Sequence, residues 1–191
     1  MPADNRFGID ISDQMYVWFL DVKVPLIRTN YGEDTDLACI ILKQGHGLSW
    51  DDPAEKILAA VELGLISGEE SDKFTGPEGL LMNVVGKIRF YLRTGRNSVE
   101  ALTRPDLVEP GDFPFEGAGE YRGYEGGVSG GRQESDWRWF CEIVDRYIEL
   151  RAAAAKPAIE ACKARRPGWK YLPNENPNDH TPSDPEVAAE G

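Results

Sequence analysis

Cys39, His46 and Ser49 are the residues whose types and spacing could carry nucleophilic chemistry, with the imidazole as general base for a thiol or a hydroxyl. His46 stands in Gln44-Gly45-His46-Gly47, a turn just before Trp50 and Asp51. A working constellation also needs a third group to orient the base, and the sequence names none. The simpler reading is a loop histidine between two glycines with no role to fill. The other histidine, His180, falls in a segment expected to be disordered, which leaves it without a fixed position.

Glu33-Asp34-Thr35-Asp36 has the acidic density of a calcium loop but lacks the central glycine and the terminal bidentate glutamate. No Cys-x-x-Cys or nearby histidine pair marks a zinc site. Neither Gly45-His46-Gly47 nor the glycines from Gly123 to Gly131 match a phosphate-cradling loop. Gly126, Gly127, Gly130 and Gly131 read instead as flexible punctuation. The expectation is no metal, no cofactor and no coherent active site.

Charge is more informative than any of these motifs, because it comes in blocks. The formal balance is -12, from 33 acidic and 21 basic residues. Residues 1–86 hold 15 acids and 6 bases; 87–104 reverse this with 5 bases and 1 acid. Residues 105–136 return to 8 acids and 2 bases, 137–172 carry 8 bases and 4 acids, and 173–191 hold 5 acids and no base. A block of one sign selects partners of the other. The basic blocks place Arg89, Arg93 and Arg96 at helical spacing, and cluster Lys163, Arg165, Arg166 and Lys170 around Trp169 and Tyr171. Basic plus aromatic suits single-stranded nucleic acid, but the overall acidity repels a polyanion. Direct nucleic-acid binding is therefore disfavoured, and pairing of the basic blocks with acids of the chain itself or of a partner is preferred. The acids Asp51, Asp52, Glu55, Glu62, Glu69, Glu70 and Asp72 are the candidate partner-binding residues. With Asp51, Asp52, Glu55 and Glu62 on or beside one predicted helix and Glu69, Glu70 and Asp72 following, they could imitate a phosphate backbone and occupy a basic groove.

The elements that would position these residues read as mostly helical. Asp52-Pro53-Ala54-Glu55 has a cap, a proline at the first helical position and a capping-box glutamate; Ile57, Leu58 and Val61 follow at helical spacing, with Gly64 as a stop. Ser67 to Phe74 repeats the cap logic in a short turn. A third helix opens at Thr75 and runs through about Arg93, with Leu81, Val84, Val85, Ile88 and Leu92 on one stripe and Gly95 at its end. A fourth spans about Glu134 to Ala155, with a wide apolar face from Trp137 to Leu150 that is either buried or presented to a partner. Pro157 should break or kink it. Residues 14–24 divide evenly between strand and helix, and Leu37 to Leu42 leans to helix. Residues 105–133, with eight glycines and three prolines, read as a long loop.

These features predict a mainly α fold, one compact helical domain over 1–172, with a small N-terminal two- or three-stranded sheet as the variant. A disordered acidic tail follows at 173–191. Apolar residues reach 41%, under the ~45–50% usual for folded domains, which agrees with a folded body bearing polar extensions. Met1 to Asn5 lacks the basic and apolar pattern of a signal peptide. No run approaches the ~20 apolar residues of a membrane span. Cys39, Cys141 and Cys162 cannot all pair, so the expected compartment is the reducing cytoplasm.

The function expected from this pattern is a non-enzymatic acidic module that blocks or escorts a basic protein partner. In its sharper form it inhibits nucleic-acid machinery by mimicry, as anti-defence and immunity proteins of phage type do. The alternatives are a structural component of a larger particle and a small enzyme using His46 and Cys39.

Overall fold

The computed structural model of the chain describes residues 11–32, 35–49, 52–67, 79–130 and 133–165. The expected acidic tail at 173–191 lies outside them. The chain divides into two units, Met1–Ala155 and Lys156–Gly191. In the second, residues 156–165 are helical and all exposed.

The first unit is mixed α+β, which corrects the mainly α expectation. Its sheet has four antiparallel strands in the order β2-β1-β4-β3: β1 (Ala38–Leu42), β2 (Val61–Ile66), β3 (Ala118–Tyr121) and β4 (Tyr124–Ser129). The sheet is not the N-terminal one considered from sequence, since half of it comes from the glycine-rich segment read as a loop. Residues 14–24, where strand and helix were balanced, lie within a helical stretch: α1 (Ser12–Trp18), a π-helical turn (Phe19–Lys23) and α2 (Val24–Tyr31).

Strand β1 explains why the sheet was hidden. Ala-Cys-Ile-Ile-Leu shows no alternation because all five residues are buried, on both faces. Cys39 and Ile41 join Leu63, Leu65 and Val128 under Met15, Phe19 and Ile27 of the N-terminal helix and Phe140, Ile143 and Val144 of α5 (Gln133–Arg165). Ala38, Ile40 and Leu42 face Ile57 of α3 (Ala54–Ala59) and Val84, Val85 and Ile88 of α4 (Leu80–Thr94). Each fully buried aliphatic or aromatic side chain contributes roughly 1.5–3 kcal/mol, so helices on both faces fix β1 as the centre of the unit.

The helix expected from Asp52 to Gly64 stops at Ala59, and Val61–Ile66 pairs with β1 from Ala38↔Ile66 to Leu42↔Val61. Helix α4 carries the expected stripe, with Val84, Val85 and Ile88 buried and Leu81 and Leu92 half-buried. The chain leaves it at Gly95, whose N–H donates to the Tyr91 carbonyl; the start expected at Thr75 lies outside the described residues. The apolar face from Trp137 to Leu150 is taken up largely by the core, with Trp139, Phe140, Ile143, Val144 and Tyr147 all buried.

The glycines of β4 are not punctuation. Strands β3 and β4 join through Arg122 and Gly123, both at positive φ (52° and 81°), the two-residue turn that matches strand twist. A Cβ on Gly126 would meet the Ile40 carbonyl oxygen and the Phe140 ring. Glycine there lets β1 and β4 pair while Phe140 lies on the sheet.

Candidate protein-binding surface

The nucleophilic constellation does not assemble. Cys39 is fully buried in β1, and burial pushes its thiol far above the usual range. The Ser49 amide donates to Asp52 Oδ2 at 2.8 Å. His46 is held by two other groups. The Leu48 N–H donates to His46 Nδ1 at 2.8 Å, which leaves the ring proton on Nε2, 2.5 Å from Glu125 Oε2. Tyr91 Oη donates to the other Glu125 oxygen at 2.9 Å; burial, then Glu125, holds its phenol above the ordinary value. With both ring nitrogens occupied, His46 ties the loop after β1 to β4 and α4. Sequence reasoning missed Glu125 because it lies 79 residues away in the chain.

Thiol chemistry checks this arrangement. At pH 8 the exposed Cys162 is expected to react first with a maleimide or disulfide reagent. Cys141, pushed up to about 11 mainly by burial, should follow slowly, and Cys39 only on unfolding. Mass spectrometry of the labelled peptides gives the order. Rapid native labelling of Cys39 would contradict the packing.

The acids divide into those used by the fold and those turned outward. Asp52 is buried. It accepts the Ser49 N–H and Lys56 Nζ at 2.6 Å, and the lysine, then the Ser49 amide, lowers its pKa below the usual carboxylate value. Glu62 on β2 is mostly covered and binds Arg151 Nη1 at 2.6 Å and the Tyr147 hydroxyl, two groups on α5. Burial and Glu62 in turn raise the Tyr147 phenol. Glu55 is exposed, with no ion pair or hydrogen bond among the described residues. Asp51, Glu69, Glu70 and Asp72 lie outside the described residues.

The basic blocks are heavily engaged within the chain. Arg93 binds Asp112, the Leu107 carbonyl and, at 3.3 Å, Glu109, which pins the 107–112 segment to α4. Arg96 pairs with Glu100 at 2.6 Å and Arg122 with Asp145 at 2.6 Å. Lys87, 1% exposed, donates to Asp136 Oδ2 at 2.6 Å and to the Val128 carbonyl at 2.9 Å. Burial lowers the pKa of this ammonium, and Asp136 offsets part of that. Sequence reading passed over Lys87, although one signal was there: a lysine between Val85 and Ile88 in an otherwise apolar stripe. Arg28 takes Asp36 at 3.0 Å, so the acidic run at 33–36 supplies a structural pair, and no cluster able to hold a metal occurs among the described residues.

No protein-family model, no curated protein and no solved structure matches this chain.

What the described surface offers is the outer face of the helix over 12–31. Val24 N–H bonds the Phe19 carbonyl, five residues back, and Pro25 has no N–H to continue an ordinary ladder. The widened turn sets Val17, Val22 and Leu26 outward while Met15, Phe19, Lys23 and Ile27 stay inward. Tyr16, Val17, Val22 and Leu26 are four of the eight exposed large hydrophobic residues among those described. Asp13 and Asp21 stand exposed beside them, with no ion pair or hydrogen bond among the described residues. Beside Leu26 opens a hollow of about 410 Å³ walled by Tyr31 and Trp139, whose rings meet edge-on at 5.1 Å. No helix among the described residues is long and apolar enough to cross a membrane.

Proposed function

We propose that this chain is a non-enzymatic protein-binding module that blocks or escorts a basic partner. The observation carrying this reading is that Asp13, Asp21 and Glu55 are exposed and unpaired among the described residues, in a segment that holds 15 acids against 6 bases. An unpaired carboxylate keeps its field, which reaches ~8–10 Å at physiological salt and steers a cationic partner to it. The closed packing around Cys39 and the double tethering of His46 weigh against the small-enzyme alternative. Burial of most of the apolar face of α5 weighs against the particle-component alternative.

Mimicry of nucleic acid is the finer form of the proposal. Its array narrows to Asp51, Glu55, Glu69, Glu70 and Asp72, because Asp52 and Glu62 serve the fold. Affinity capture from the native host at low and high salt tests the reading. The expected partners are basic proteins released by salt, with retention reduced at least about tenfold when those five residues are reversed to lysine. Salt-insensitive capture that ignores the reversals would refute it.

A further inference from the structure

The geometry points to the outer face of the 12–31 helix as the docking surface, with a basic amphipathic helix of another protein as its occupant. This rests on the basic-partner reading above and names the place and the partner's form. Exposed apolar residues scattered singly need no explanation, but a contiguous set rimmed by polar groups marks an interaction site. Here Val17, Val22 and Leu26 form one stripe along a helix of twenty residues, ~30 Å long. A linear stripe on a helix is matched by a second helix laid along it. The hollow at Tyr31 and Trp139 lies beyond Leu26, but Asn30, Arg138 and Glu142 also line it, so the apolar contact is the stripe itself.

Charge decides what kind of helix. Asp13 and Asp21 are the ionised groups exposed on this helix along the stripe. At its end α5 brings Arg138 and Glu142, exposed and 3.7 Å from each other, which offset one another. The cations of the 12–31 helix are already used. Lys23 is buried against Glu142 and Arg28 pairs with Asp36. A partner helix with lysine or arginine beside its apolar residues therefore fits, and an acidic one is repelled. A second copy of this chain does not fit. Two-fold pairing would set Asp21, beside Val22 in mid-stripe, against its own counterpart. One helix face buries little area, so the complex belongs with weak, transient interfaces.

The test uses the full chain and two synthetic amphipathic helical peptides of about 18 residues, one of leucine and lysine and one of leucine and glutamate. The leucine–lysine peptide should bind with Kd on the order of 10 µM at low salt, and the leucine–glutamate peptide should not. Val22→Ser with Leu26→Ser should weaken binding at least about tenfold with an unchanged circular-dichroism spectrum. Asp13→Lys with Asp21→Lys should transfer the preference to the acidic peptide. If these pairs leave affinity unchanged while lysine at Glu55, Glu69 and Glu70 weakens it, the basic-partner reading stands and this surface falls. Equal affinity for both peptides overturns both. A dimer in sedimentation that the Val22/Leu26 pair converts to monomer makes the occupant a second copy and also overturns the proposal.

Discussion

Lys87→Met lowers the unfolding free energy by about 3–5 kcal/mol, the largest loss expected from one surface-neutral change in this protein. Lys87 and Asp136 are 1% and 4% exposed at the side chain and 2.6 Å apart. Methionine matches the length and apolar stem of lysine, so little packing is lost. What it leaves is a buried carboxylate and the Val128 carbonyl without their ammonium donor. Removing one member of a buried pair costs much more than removing both, because the survivor keeps its desolvation penalty and loses its compensation. The variant Lys87→Met with Asp136→Asn should therefore recover about 2 kcal/mol of the loss, a coupling that a double-mutant cycle in urea reads directly. Independent, additive losses would show that the pair does not act as a unit. The position matters because α4, β4 and the start of α5 meet at this ammonium.

Gly126→Ala should cost about 3 kcal/mol, although alanine is ordinarily the milder residue. The added methyl has nowhere to go: the Ile40 carbonyl lies on one side and the Phe140 ring on the other. Ile40 is backbone of the central strand and cannot rotate away, so β1 and β4 must separate or Phe140 must lift from the sheet. Gly64, in β2 on the other side of β1, is the control. Its Cβ would meet only Val61 Cγ1 at 3.7 Å, an ordinary contact, so Gly64→Ala should shift stability by less than about 0.5 kcal/mol. Comparable urea midpoints for the two variants would remove the steric account of the glycine-rich strand.

These two positions show where sequence reading stops. Helix α4 was legible because its apolar side chains fall on one stripe and leave a 3.6-residue period in the chain, although burial at Val84 to Ile88 goes all the way round. Strand β1 was not, because covering both faces erases the alternation that identifies a strand. In β2, Val61 and Gly64 continued the spacing of α3 and imitated its last turn. In β4, glycines demanded by close approach looked like those of a flexible loop. Residues 14–24 were balanced between helix and strand because β-branched and aromatic residues on the exposed side blurred the period, and the π turn shifted it.

The candidate surface was legible only in its charge. The excess of acid before residue 87 is a property of composition, and composition needs no fold. Sequence alone also fixed the stripe and end of α4 and the lack of any recognised metal or phosphate motif. Which acids remain available was decided by tertiary structure. Glu62 meets Arg151 across 89 residues, while Asp13 and Asp21 meet no cation among those described. Local order in the chain cannot encode that difference. A carboxylate is neutralised or displayed according to what lies within a few ångströms of it, and packing the sheet between its helices chooses those neighbours from distant parts of the chain.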